Sequence, residues 1–272
     1  MRLNADFSER VVIRPADYDW VPSPMPGVER MMLDRIGDEV ARATSLVRYA
    51  PDSTFSAHEH GGGEEFLVLE GEFGDEHALY PKGTYVRNPI GTKHSPRVGA
   101  AGCTIFVKLH QFEGDDKRQF AVDTASEGWS PGLVPGLEVM PLHEYGSERV
   151  ALVRWAPNTR FHPHIHAGGE EILVLEGSFF DEHGAYPAGS WLRNPPDSQH
   201  APYTEADGAL IYVKTGHLYA RSGACTQAAS GVGSTRRSNS AYGTRISSLC
   251  EPALKKISSS SRSVSDTNTF MP

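Results

Sequence analysis

HEHGGGEEFLVLEGEFGDEHALYPKGTYVRNP, residues 58–89, returns about 106 positions further on as HIHAGGEEILVLEGSFFDEHGAYPAGSWLRNP, residues 164–195. The same offset lays Leu46 to Lys108 on Leu152 to Lys214 without a gap, so the chain carries an internal duplication. Upstream the match continues at a slightly larger offset, with Trp20, Pro26, Gly27, Gly37 and Glu39 answering Trp129, Pro135, Gly136, Gly146 and Glu148. Each unit therefore has the size of a small domain. A propeller or solenoid would need three or more shorter copies.

Within the units, ALVRWAP, FLVLEGEF and TIFVKLH are runs of apolar, β-branched and aromatic residues bounded by Gly, Pro, Asp or Asn, which read as strands. Gly71 and Gly177 stand where a hairpin is expected, and GDEHALYPKG and FDEHGAYPAG supply a second turn. About eight short antiparallel strands per unit predict an all-β chain of two tandem jelly-roll barrels. The first barrel is expected over 1–115 and the second over 116–220, with the charged run EGDDKRQFAVDTASEG, from Glu113 to Gly128, around the junction. From residue 221 to 272 the chain is rich in serine and has no usable period, and it is read as a disordered tail.

A hydrophobic content of 39% and a mean hydropathy of −0.40 exclude an integral membrane protein. The net charge of −8 argues against nucleic-acid binding, because a phosphate backbone needs a basic face. Three scattered cysteines, Cys103, Cys225 and Cys250, make neither a disulfide framework nor a thiolate site. The N-terminal twenty residues contain no apolar export core. A cytoplasmic protein is the expectation, with homo-oligomerisation open.

His58 and His60 are two apart, so on a strand both imidazoles leave the same face. Glu64 follows across three glycines that let the chain bend back, and His94 lies two strand signals later. The second unit repeats the set as His164, His166, Glu170 and His200. Three imidazoles and a carboxylate suit one divalent ion per barrel, zinc or iron first, with manganese, nickel and copper open. Neighbouring positions have diverged while these eight have not: Glu59 faces Ile165 in the alignment, and Lys93 faces Gln199.

These residues resemble the cupin superfamily. Its first motif is met from the HxH onward by His58, His60, Glu64 and Gly71, and again by His164, His166, Glu170 and Gly177. Its second motif is met by Gly83, Pro89, Gly91 and His94, with Val98 in place of the final Asn. In the second unit Gly189, Pro195 and His200 fit, while Asp197 replaces a glycine and Thr204 the Asn. More narrowly, residues 20 to 218 look like the ChrR-like cupins, a family that includes the sensory domain of a zinc-binding anti-sigma factor as well as stand-alone bicupins. The resemblance implies metal ligands at the eight positions. The anti-sigma role in that family depends on a separate N-terminal helical zinc domain, whose His and Cys ligands have no counterpart here before His58 and Cys103.

Other repeated residues receive plainer readings. Asp75, Glu76 and His77, with Asp181, Glu182 and His183, are taken as turn formers away from the ligand strands. Arg87, Asn88, Arg193 and Asn194 are assigned to a polar network at the strand ends. Glu65 and Glu171 are expected to face outward by alternation, and Tyr85, Trp191, Phe66, Ile172, Phe106 and Tyr212 to fill the barrels. His162, two before His164, is read equally as lining the second cavity, as a proton carrier or alternative ligand, or as a surface histidine. The function expected is a metal-dependent oxygenase acting on a small molecule. The alternative is a metal-holding sensor that acts through a regulatory protein partner. No phosphate-cradling loop or nucleophile elbow is present.

Overall fold

The computed structural model describes residues 1–218, and the serine-rich tail lies outside the described residues. The described chain is almost entirely strand, its one helical element being a single 3-10 turn at Pro15–Asp17. In the first barrel, Val28–Gly37, Ala41–Tyr49, Arg97–Leu109, Glu64–Gly74 and Thr84–Asn88 lie side by side in a nine-stranded antiparallel sheet. The second repeats this order in an eight-stranded sheet with Leu137–Tyr145, Glu148–Trp155, Ala209–Thr215, Glu170–Asp181 and Trp191–Asn194. Each barrel adds a two-stranded ribbon, His58–Glu59 with Lys93–His94 in one and His164–His166 with Ser198–His200 in the other. Two tandem jelly-roll barrels are thus present as the alternating sequence requires.

Alternation along the central strands divides three cores. From Glu64–Gly74, Phe66 and Val68 enter the first barrel beside Phe73 and Val107. Ile172 and Val174 do the same in the second, beside Trp155 and Phe179. The opposite face sends Leu67, Tyr85 and Phe106 against Leu173, Trp191 and Tyr212, forming a third apolar core between the barrels. Phe66 and Ile172 therefore fill barrels as expected, whereas Tyr85, Trp191, Phe106 and Tyr212 join them.

The hairpin expected at Gly71 and Gly177 is not made. The strand continues past each glycine to Gly74 and to Asp181. Both glycines are left-handed, at φ 69° and 70°, beside a register shift in the pairing with the neighbouring strand. A Cβ at either would collide with the backbone carbonyl of Gly102 or Gly208, so the glycine makes a bulge that bends the strand rather than ending it.

The edges are exchanged between repeats. Val11–Ile13 adds to Trp191–Asn194 of the second barrel, and Phe120–Asp123 adds to Thr84–Asn88 of the first. The offset that matches Trp20 with Trp129 also matches Val11 with Phe120, so each unit lends an equivalent early strand to the other, while Arg2–Leu3 stays paired with Val28–Gly37 of the first barrel.

Candidate metal centres

The ribbons set the candidate ligands. In the second barrel His164 sits directly across from His200, and His166 from Ser198, so three imidazoles gather on one ribbon. His58 faces His94 in the same way. One ring nitrogen from each of His58, His60 and His94 lies within 4.8 Å of the others, and the same holds for His164, His166 and His200. The glutamates arrive from the adjacent central strand. Glu64 Oε2 is 3.6 Å from His60 Nε2 and 3.8 Å from His94 Nε2. Glu170 Oε2 is 3.4 Å from both His166 Nε2 and His200 Nε2. All eight residues singled out in the sequence thus fall into two groups of four.

The donor set fits a divalent ion. The Nε2 atoms of His60, His94 and His164 are buried without a hydrogen-bond partner. His166 Nε2 and His200 Nε2 face each other at 3.1 Å. A cation bound at about 2.1 Å holds neighbouring donors roughly 3.0–3.4 Å apart, which the second group already approaches and the first exceeds by a few tenths. Burial disfavours the imidazolium, reinforced by neighbouring histidines, and holds His60 and His164 down to about 4. His94 and His166 are lowered by the same burial. His200 is raised: burial opposes its charge, but Glu170 and Asp181 outweigh it. Glu170 is lowered in turn, burial being overcome by the three imidazoles.

The groups behind the ligands correct two sequence expectations. Asp75 does make the turn, accepting from the backbone N–H of His77 and Ala78 at 2.8 and 3.0 Å, but its Oδ2 also lies 3.4 Å from His94 Nδ1. Asp181 accepts from the His183 N–H at 2.8 Å and lies 3.5 Å from His200 Nδ1. These aspartates therefore stand against the ligand strands, because the bulged central strand carries its end back over the ribbon. Glu76 and Glu182 accept the backbone N–H of Ser95 and Ala201, the residues after the ligand histidines. Asn88 donates to Glu64 Oε2 at 3.1 Å and Asn194 to Glu170 Oε2 at 3.0 Å, so these asparagines hold the candidate ligand carboxylates. The repeated D-E-H and R-N-P runs are visible signals, but only the fold reveals what they touch.

Glu65 and Glu171 point out of their barrels, as alternation predicts, yet outward is not solvent. They are 1% and 0% exposed, in the seam between the barrels. Glu65 accepts from Tyr85 at 2.5 Å, Arg87 at 2.6 Å and Lys214. Glu171 accepts from Lys108 at 2.5 Å and the Trp191 indole at 2.8 Å. Arg87 belongs to this seam, also donating to Asp116 at 2.5 Å. Of the two readings of His162, the surface histidine holds and the cavity lining does not. The residue precedes the ribbon, is exposed and stacks on Phe161 at 4.2 Å, while its carbonyl lies 3.1 Å from His164 Nδ1.

Two departures from the motif are accommodated locally. Asp197 takes the left-handed turn conformation, φ 62°, that Gly91 takes at 91°, which aspartate tolerates better than most residues. Thr204 donates to the Ala156 carbonyl at 2.7 Å, bracing the loop before the ribbon.

The sequence profile of the ChrR Cupin-like domain matches this chain twice, over residues 8–113 and 117–219. No curated protein matches the sequence. Among solved structures, a candidate dioxygenase from Nostoc punctiforme is similar at 16% identity with a TM-score of 0.66, over 78% of this chain and 84% of that one. A cupin 2 conserved barrel domain protein from Leptotrichia buccalis is similar at 14% identity with a TM-score of 0.51, over 72% and 91%. The oxalate decarboxylase of Bacillus subtilis is similar at 14% identity with a TM-score of 0.54, over 75% of each chain. At such identities the likeness is one of fold.

Proposed function

The chain belongs to the ChrR cupin-like family in both of its repeats, and from that premise we propose a metal-dependent oxygenase that holds one divalent ion in each barrel and acts on a small oxygenated or aromatic molecule. The observation that carries the reading is the convergence of His58, His60, His94 and Glu64, and of His164, His166, His200 and Glu170, with buried ring nitrogens left unpartnered. Without a cation those nitrogens would be desolvated for nothing. The bound ion, iron(II) for this chemistry, supplies Lewis acidity and the redox partner that dioxygen needs.

The remaining work belongs to the protein. The imidazoles of His60 and His164, held neutral by burial, are ready to bind metal without first losing a proton. Asn88 and Asn194 fix the carboxylates, while Asp75 and Asp181 keep the ring of His94 or His200 turned inward. Phe73 and Phe179, with ring centroids 5.9 and 6.5 Å from those of His94 and His200, extend the apolar barrel cores up to the two sites. His58 is exposed, giving the first site an approach from solvent. Among the described residues no helix is long and apolar enough to cross a membrane.

The family match also favours a sensor reading, in which zinc is held tightly and a partner protein reads the site. Metal analysis of protein purified without a histidine tag, combined with oxygen-electrode measurements on catechols and β-dicarbonyl compounds, separates the two. Iron with substrate-dependent oxygen uptake supports the oxygenase. Zinc retained through chelation, with no uptake after iron replacement, overturns it in favour of the sensor.

A further inference from the structure

Resting on the metal-binding reading, we infer that Arg10 is a positioning residue for the second metal centre, carried there by the Val11–Ile13 strand of the first repeat. Pairing of Val11 with Arg193 and Val12 with Leu192 fixes the strand, and Arg10 continues it past the barrel edge. Its Nε donates to Asn194 Oδ1 at 2.9 Å, and its Nη2 to Asp181 Oδ2 at 3.0 Å and to the Tyr186 hydroxyl at 2.6 Å. Tyr186 completes the clamp by donating to Asp181 Oδ1 at 2.6 Å. The two residues gripped by one guanidinium are those behind two different ligands: Asn194 holds Glu170, and Asp181 backs His200. A planar fork can fix both partners at once, which a point charge cannot.

The first site lacks this clamp. The offset that matches Val11 with Phe120 puts Gln119 in the place of Arg10. Gln119 makes the single equivalent bond, donating to Asn88 Oδ1 at 3.2 Å. Among the described residues no lysine or arginine pairs with Asp75, whose longer partners are Tyr80, at 3.3 and 3.4 Å, and His94. The donor distances follow the difference, 3.4 Å around Glu170 against 3.6 and 3.8 Å around Glu64. The two centres are therefore unequal, and the second is the better organised.

The test isolates each centre and measures zinc affinity by competition with a chromophoric chelator. With His60→Ala leaving only the second centre, adding Arg10→Gln weakens zinc binding about 10–100-fold, the usual effect of losing a group that orients a ligand. With His166→Ala leaving only the first, the same substitution changes nothing. A merely structural role would instead lower the melting temperature of the metal-free protein and weaken both centres. Should Arg10→Gln fail to fold, Arg10→Lys carries the test: it keeps the charge but not the fork, and a smaller loss at the second centre alone is expected. Equal affinity at the second centre with and without Arg10 overturns the inference. Failure of the unsubstituted protein to bind added zinc at either centre would instead overturn the metal-binding reading beneath it.

Discussion

At the scale of single residues, the strongest determinant is what stands behind each ligand. Asn88 and Asn194 each give one amide hydrogen bond to a ligand glutamate that is itself buried. An unanchored carboxylate would rotate among several orientations, only some of which bind an ion together with the imidazoles. Asn88→Ala and Asn194→Ala are therefore expected to weaken metal binding about 10–100-fold, each at its own centre, with little change in fold. Chelator competition on the two variants checks this, and unchanged affinity would reduce the amides to packing. The convergence of the candidate ligands is legible in the sequence because spacing two on a strand and recurrence at a constant offset are local properties. The contacts of Asp75 and Asp181 are not, because what they touch depends on how far a bulged strand runs, which Gly71 and Gly177 conceal by resembling hairpin glycines.

At the scale of elements, the exchanged strands make the two repeats mutually dependent. Val11–Ile13 covers the edge of Trp191–Asn194, which carries Asn194, and Phe120–Asp123 covers the edge of Thr84–Asn88, which carries Asn88. An uncovered edge presents unpaired backbone groups and invites association. Residues 1–115 and 116–218 produced separately are expected to aggregate or to self-associate, whereas co-production yields a stable one-to-one complex. Size-exclusion chromatography with light scattering distinguishes these outcomes, and two independent, soluble, folded monomers would contradict the exchange. The repeat and its strands can be read from alternation. The exchange cannot, since Val11–Ile13 and Phe120–Asp123 are short half-buried strands whose sequences say nothing about which of two similar edges they join.

At the scale of the whole molecule, the seam between the barrels joins an apolar core to buried charge. Lys108 of the first repeat reaches Glu171 of the second, and Lys214 of the second reaches Glu65 of the first. Alternation correctly sends Glu65 and Glu171 out of their barrels, but only tertiary packing decides that another barrel waits there. Glu171→Ala leaves the Lys108 ammonium buried without its carboxylate, and a loss of about 3–5 kcal/mol is expected in denaturant unfolding. The seam also sets acid sensitivity. Burial holds His217, against Glu171, at about 4 rather than 6.5, so between these values the unfolded chain binds a proton that the folded one refuses. Stability therefore falls as the pH drops from 6.5 towards 4. Burial raises Glu65 and Glu171, but Lys214 and Arg87 at Glu65, and Lys108 and His217 at Glu171, outweigh it and hold both well below 4.5, adding a further loss below that pH. Asp34, raised by burial and by Glu171, offsets part of it. Urea midpoints at pH 7, 5.5 and 4 should decline in that order, and a flat series would contradict the assignment.

Metal stoichiometry tests the central claim most directly. Protein purified without added metal or an affinity tag, then loaded with zinc and desalted, is expected to hold two equivalents per chain. His60→Ala and His166→Ala are each expected to hold one, and the double variant none. Two equivalents retained in the double variant, or none in the unsubstituted protein, would contradict the account.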